Sequence, residues 1–277
     1  MHPPRLAVVE YINTVPLISG LNAWAGLELR RLPPAKIGPC ILAGGADAGL
    51  VSIADAADSA GGLTLLGCGM IGCDGATMTV GLFSRRPLNQ ISVLHADDES
   101  KTSVALCRLI LTRVYGAQPS VMPITVKQSL GVRGESAPEA VLLIGDKVIT
   151  HSPPADEYPY RIDLGEAWKS WTGKPFAYAA WAVRSDRADE PWVETLVNVL
   201  DRQRRRNAMR LGRIVAEEAV PHGWSPEDAG RYVGSLLRYE VTPEARAAAD
   251  LFAREAAELG ILTNGALRWR ERRPVLV

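Results

Sequence analysis

Short apolar runs that alternate with helix-length segments are the feature that most constrains the fold of this chain. Such runs occupy residues 5–9, 46–52, 63–66, 77–84 and 140–144. Brief apolar runs bounded by Gly, Pro or Asp are typical of strands that are buried in a sheet. Strands that alternate with helices form largely parallel sheets covered by those helices. The sequence therefore predicts an α/β protein.

The alternation is interrupted twice, which predicts two lobes. The segment Arg85-Arg86-Pro87-Leu88 marks a crossing, and a new strand–helix pattern begins after it. The extended run 176–183 leads the chain back, and helix starts such as Ser225-Pro226 and Thr242-Pro243 follow it. We predict a first lobe of residues 1–86 and 185–277 that includes C-terminal helices, and a second lobe of residues 87–184. A ligand cleft is expected between the lobes.

Composition argues against several classes of partner. The 277 residues carry 31 Lys and Arg against 31 Asp and Glu, so we expect neither a nucleic acid nor an anionic membrane as partner. No apolar run approaches the roughly 20 residues of a membrane span, and no secretory signal is visible, so a cytoplasmic protein is expected. The four cysteines and four histidines show no spacing typical of a metal site or a catalytic triad. We therefore expect no metal.

A glycine motif offers an alternative function that its surroundings disfavour. Gly67, Gly69 and Gly72 spell the GxGxxG pattern of dinucleotide-binding sites. That pattern requires a helix directly after it and an acidic residue further on, whereas a strand-like run follows here. We predict instead that these glycines form a turn near the cleft.

Polar residues follow the first predicted strand at the place where α/β sheets bind ligands. Asn13 and Thr14 come just after that strand and just before Pro16, which suits the first turn of a helix. Backbone N–H groups at such a helix start attract anions. Asn13 could equally be a simple helix cap, and the sequence favours the two interpretations about evenly.

Two further groups of polar residues are expected at the cleft. Ser100, Thr102 and Ser103 crowd one helix start, and capping alone does not require three hydroxyls, so we predict that they bind a carboxylate. Gly145 and Asp146 end the most apolar strand. They either line the cleft or cap a following turn.

Taken in order, these segments resemble the chorismate dehydratase family of the futalosine route to menaquinone. The matching segments are residues 11–17, 46–52, 79–84, 100–103, 143–146, 163–168, 172–176, 180–181, 232–239 and 251–252. The resemblance covers nearly the whole chain and depends on order and spacing more than on any single motif. It implies a two-lobe, periplasmic-binding-protein-like (type II) fold in an enzyme of the cytoplasm.

The resemblance also implies a reaction and a set of site residues. The reaction is loss of water from chorismate, a carbon–oxygen lyase step that needs no cofactor and yields 3-[(1-carboxyvinyl)oxy]benzoate. The implied catalytic residues are Asn13 and Thr79. The residues expected to bind the substrate are Thr14, Ser52, Ser100, Thr102, Ser103, Gly145, Asp146 and Trp181.

Two positions depart from the family pattern, and one role has no obvious residue. Thr79 stands where the family usually carries serine, and Ser52 stands where it often carries proline. Threonine keeps the hydroxyl but adds a methyl group and stiffens the side chain. No His or Lys stands out as the general base, and the enolpyruvyl carboxylate of the substrate is a candidate because a neighbouring group has a high effective molarity.

Two other functions remain open at this point. The same fold and cleft serve proteins that bind small carboxylates without catalysis, and a sister enzyme of the pathway, the dihydroxynaphthoate synthase, shares the fold. Fold alone does not distinguish these functions.

Overall fold

Two mixed sheets form the framework of the molecule. The structure is a computed structural model that describes residues 4–24, 26–96, 100–124 and 137–270. Its strands are β1 (Arg5–Val8), β2 (Glu28–Arg31), β3 (Ala48–Ser52), β4 (Leu63–Cys73), β5 (Val80–Ser84), β6 (Val93–Ala96), β7 (Ser120–Pro123), β8 (Ala140–Ile144), β9 (Tyr160–Asp163), β10 (Phe176–Arg184) and β11 (Leu237–Arg238). The first sheet has the order β11-β4-β10-β3-β1-β2, and the second has the order β7-β6-β8-β5-β9.

The sheets are mixed, whereas the sequence predicts largely parallel ones. Strand β1 is parallel to β2 and β3, and β6 is parallel to β7 and β8. Strand β10 is antiparallel to both of its neighbours, β3 and β4, and β5 is antiparallel to β8 and β9. The parallel pairs belong to local strand–helix–strand units, which need a crossover. Strands β5 and β10 arrive from the other sheet, so no local crossover fixes their direction.

Helices cover the sheets and make up most of the C-terminal part. They are α1 (Val15–Ile18), α2 (Pro34–Leu42), α3 (Ile53–Asp58), α4 (Lys101–Tyr115), α5 (Asp146–His151), α6 (Leu164–Thr172), α7 (Pro191–Met209), α8 (Leu211–Glu218), α9 (Pro226–Ala229) and α10 (Pro243–Glu258), with a π-helix at Gly230–Leu236. The predicted starts at Ser100, Ser225 and Thr242 are confirmed, because each side chain accepts a hydrogen bond from the N–H three residues on. Within the described ranges, no helix combines the length and the apolar character needed to cross a membrane.

The chain changes sheet earlier than the sequence places the crossings. Strand β5 lies before the predicted crossing at Arg86 but belongs to the second sheet, and β10 lies before residue 185 but belongs to the first. The strand crossings therefore fall in residues 74–79 and 164–175, and not at 86/87 and 184/185. The physical reason is that all of β5 is buried and pairs with the apolar run β8, so Arg85-Arg86-Pro87 is only the turn that ends it.

The glycines of the GxGxxG motif lie inside strand β4, so the predicted turn is wrong. A side chain at Gly72 would come within 2.5 Å of the carbonyl oxygen of Phe176, and one at Gly69 would meet the ring of Trp181 at 3.2 Å. Gly69 and Gly72 are glycines because β10 and its side chains pack directly against β4, and a side chain at Gly67 would meet the guanidinium of Arg246.

Candidate functional site

A cavity of about 260 Å³ lies where the two sheets face each other. This volume is slightly below the roughly 300–1,000 Å³ that ligand pockets usually have. Its walls are mostly apolar and come from both sheets, with Leu50 and Ile71 on the first and Val80 and Ile144 on the second. A small number of polar groups on such walls is typical of a site that binds one small molecule.

Most of the predicted site residues line this cavity. They are Asn13, Ser52, Thr79, Ser100, Ser103, Gly145 and Asp146. Residues that are far apart in the sequence, on two sheets and several helices, therefore converge on one space.

Three predicted site residues lie elsewhere. Thr14 is fully buried, and its hydroxyl donates to the carbonyl oxygens of Val9 and Tyr11. Thr102 is also fully buried, and its oxygen accepts from the backbone N–H of Ala54 in α3 at 3.0 Å. Trp181 is 1% exposed in the core of the first sheet, where its ring lies against Gly69. Each side chain points to the side of its element that packs against the protein, which the sequence could not reveal.

Asn13 does not cap the helix that follows it. Asn13 lies inside the helical turn Ile12–Thr14, and the helix α1 after it has no side-chain cap. The Asn13 amide Nδ2 instead lies 3.5 Å from the hydroxyl oxygen of Tyr232. The other end of the amide, Oδ1, is buried and has no hydrogen-bond partner among the described residues. Because buried polar atoms nearly always have a partner, this acceptor at the cavity wall suits a donor group on a bound molecule.

Thr79 presents its hydroxyl to the same tyrosine. The side chain is 2% exposed, and Oγ1 donates to Oη of Tyr232 at 2.7 Å. The carbonyl oxygen of Thr79 accepts from the N–H of Gly145 at 2.8 Å. Asn13, in the helical turn after β1, and Thr79, just before β5, are thereby joined through one phenol oxygen.

The turn that carries Thr79 is held in an unusual conformation. Met78 has φ +67°, a left-handed backbone that residues other than glycine rarely adopt. The carboxylate of Asp163 accepts from the N–H groups of Thr77 and Met78 at 2.7–3.0 Å, and also from Gly165 at the start of α6. Such strained residues persist where their surroundings over-determine them, and they cluster at functional sites.

Two serines and a long helix provide a place for an anion. Ser100 caps the 15-residue helix α4, its Oγ lies 2.9 Å from that of Ser103, and both side chains line the cavity. The N-terminus of a helix attracts negative charge through its free N–H groups and its dipole. Ser52 caps the shorter helix α3 and exchanges hydrogen bonds with Asp55, so capping accounts for its contacts.

Asp146 links the second sheet to the core of the first. Its Oδ1 accepts from the indole Nε1–H of Trp224 at 2.7 Å, and the ring of Trp224 stacks on Tyr232 with centroids 5.1 Å apart. Burial raises the pKa of Asp146, and the bond from Trp224 only partly offsets this effect.

Tyr232 is a site residue that the sequence did not single out. It lines the cavity, is 2% exposed, and belongs to the π-helix Gly230–Leu236. Burial raises the pKa of its phenol to about 12, so the hydroxyl is neutral and able to donate near neutral pH. The family resemblance included residues 232–239 but assigned them no role, and the π-helical turn, a feature common at functional sites, is visible only in the structure. Tyr11 and Tyr178 also line the cavity and were likewise missed.

The described part of the chain contains no group of three or more His, Cys, Asp or Glu side chains arranged to hold a metal ion. The polar groups at the cavity are hydroxyls, one amide, one carboxylate and Lys147.

Comparisons with known proteins extend over nearly the whole chain. A family model described as menaquinone biosynthesis matches residues 4–258. A chorismate dehydratase of Thermus thermophilus is 29% identical in an alignment of 267 residues that covers 91% of this chain and 95% of the relative.

Solved structures agree on the architecture. A protein from Archaeoglobus fulgidus superimposes with a TM-score of 0.70 at 17% identity and covers 94% of this chain and 99% of its own. The periplasmic aliphatic sulphonate binding protein of Escherichia coli superimposes with a TM-score of 0.66 at 10% identity, with coverage of 96% and 95%. The predicted periplasmic-binding-protein-like fold is therefore confirmed.

Proposed function

The chain belongs to the menaquinone-biosynthesis family, and on that basis we propose that it is a chorismate dehydratase. The proposed reaction removes water from chorismate and forms 3-[(1-carboxyvinyl)oxy]benzoate, so the enzyme is a carbon–oxygen lyase. The similarity to the Thermus thermophilus chorismate dehydratase supports this assignment. A cytoplasmic location is proposed on the family resemblance.

The proposed reaction requires little from the protein, and the cavity meets these requirements. One ring carbon loses a proton, its neighbour loses a hydroxyl group, and the ring becomes aromatic, so no electron acceptor is consumed. The enzyme has to orient the substrate, exclude water and help the hydroxyl to leave. A mostly apolar cavity between two sheets, with polar groups at a few points, serves all three purposes.

We assign the reacting end of the substrate to Asn13 and Thr79. The observation that carries this proposal is that the two residues, whose catalytic role the family resemblance implies, meet at the hydroxyl of Tyr232 on the cavity wall. The free Oδ1 of Asn13 is placed to accept a hydrogen bond from a hydroxyl of the substrate. Donors that are fixed in a desolvated site stabilise developing charge strongly because they need no reorganisation.

We assign one substrate carboxylate to the start of α4. Ser100 and Ser103 line the cavity there, and the helix N-terminus favours an anion. Ser52, Gly145 and Asp146 complete the proposed binding residues at the same cavity.

The test is incubation of the purified protein with chorismate, followed by mass spectrometry. We expect a product lighter by one water, without added metal or nucleotide. Asn13→Ala is the matched variant, and it should lower turnover while leaving the fold intact. Chorismate that binds saturably but remains unchanged would support a binding protein instead, and a protein that neither binds nor converts chorismate would contradict the proposal.

A further inference from the structure

We propose that Tyr232 is a catalytic residue whose phenol O–H donates its proton to the hydroxyl oxygen that leaves the substrate. This inference rests on the proposed function, because it assigns a role within the dehydration of chorismate. Its basis is the arrangement of donors around one phenol oxygen at the cavity wall.

The hydroxyl oxygen of Tyr232 receives hydrogen bonds from the protein. Thr79 Oγ1 donates to it at 2.7 Å, and Asn13 Nδ2 approaches it at 3.5 Å from another element. A phenol oxygen has two acceptor positions and one proton. With donors directed at the oxygen, its own proton is the group left to give, and the side chain lines the cavity.

Stacking on a buried tryptophan fixes the ring of Tyr232. The ring stacks on Trp224 at an interplanar angle of 6°, and the indole N–H of Trp224 donates to Asp146, which lines the cavity. Trp224 is 5% exposed and packs in the core of the first sheet. The ring is thus held by Trp224, which is itself bonded to Asp146, and such preorganisation is what an effective donor requires.

The proton balance of the step closes without another reactant. The enolpyruvyl carboxylate of the substrate acts as the base and takes the proton from the ring carbon. The electron pair of the broken C–H bond forms the new ring double bond. The C–O bond breaks with its electron pair on oxygen, which takes the proton of Tyr232 and leaves as water. The protonated base then returns its proton to the phenolate, so the enzyme is regenerated.

Bound donors also strengthen Tyr232 as an acid at the moment of transfer. Negative charge that develops on the phenol oxygen is stabilised by the hydroxyl of Thr79 and the amide of Asn13. Burial keeps the free phenol protonated, with a pKa of about 12, so the donor form is the one present when substrate binds. Asn13 and Thr79 thereby act partly through Tyr232.

The test is Tyr232→Phe, which keeps the stacked ring and removes only the hydroxyl. We expect kcat to fall about 10²–10³-fold, the loss typical of one well-placed donor in a desolvated site. The dissociation constant of chorismate, measured by calorimetry, should change only a few-fold. Tyr239→Phe is the matched control, because its hydroxyl is also buried, has no partner among the described residues, and does not line the cavity. It should retain parental kcat.

The outcomes separate the inference from the proposed function. A parent protein that does not convert chorismate overturns both. An active parent with an equally active Tyr232→Phe variant overturns only the role of Tyr232. A variant that loses chorismate binding or cooperative unfolding together with turnover shows a purely structural residue and also overturns the inference.

Discussion

Replacing Thr79 by Val tests the centre of the site with the least change in shape. The side chain is 2% exposed, and its hydroxyl donates to Tyr232 at 2.7 Å. Valine has nearly the same shape but no donor, so Asn13 alone would remain to support the phenol oxygen. If the hydroxyl acts in the reaction, kcat should fall about 10²–10³-fold. This loss corresponds to roughly 2.7–4 kcal/mol of activation free energy at about 1.36 kcal/mol for each tenfold change.

The expected loss of stability is smaller, which separates catalysis from folding. A hydrogen bond between neutral groups contributes about 0.5–1.5 kcal/mol net to the free energy of unfolding. Thr79→Ser is the matched control, because it keeps the hydroxyl and restores the usual family residue. It removes one buried methyl group, which costs about 0.8 kcal/mol of stability, and should keep most of the activity.

The assay pairs turnover with stability for the parent and both variants. Consumption of chorismate and formation of the dehydrated product are followed by mass spectrometry, and free energies of unfolding come from urea titrations. Thr79→Val with parental kcat would show that the hydroxyl has no catalytic role and would refute the assignment. A slow Thr79→Ser variant would instead show that the added methyl group is essential to the fit.

Three further predictions concern the anion site, the strained turn and pH. Ser103→Ala should weaken chorismate binding by about 1–3 kcal/mol but lower stability by only roughly 1 kcal/mol, as calorimetry and urea unfolding would show; equal chorismate affinity would identify Ser103 as a plain cap. Asp163→Asn should lower both turnover and the free energy of unfolding, the latter by about 1–3 kcal/mol, because the N–H of Met78 loses its acceptor; unchanged values would contradict this. Burial alone would raise the pKa of Asp47, but hydrogen bonds from Arg5 and Arg187 outweigh it and lower the pKa below 3.8. Its stabilising contribution is therefore present above about pH 3.8 and lost as pH falls through the lowered pKa, so Asp47→Asn should destabilise the protein at pH 7 and matter little in strong acid. A pH-independent difference in unfolding free energy would refute it.

The sequence predicted the site better where local chemistry decides the position of a residue. Ser100 and Ser103 lie where the predicted helix start places them, and Asn13 and Gly145 follow predicted strands. Thr102 does not line the cavity, because its position on α4 turns its side chain toward α3, where it accepts a hydrogen bond from the N–H of Ala54. Spacing along a helix gives relative directions of side chains but not which direction faces the cavity.

The sequence by itself determined the secondary-structure elements. Apolar runs form the strands, and capping residues such as Ser100 and Thr242 determine where helices begin. These features depend on contacts within a few residues, which is why they can be read from the chain. Only the tertiary structure decided that Tyr232 meets Thr79 from 153 residues away and that Trp224 donates to Asp146 from 78 residues away. Such contacts depend on how two sheets and the C-terminal helices pack together, and no local pattern of residues encodes that packing.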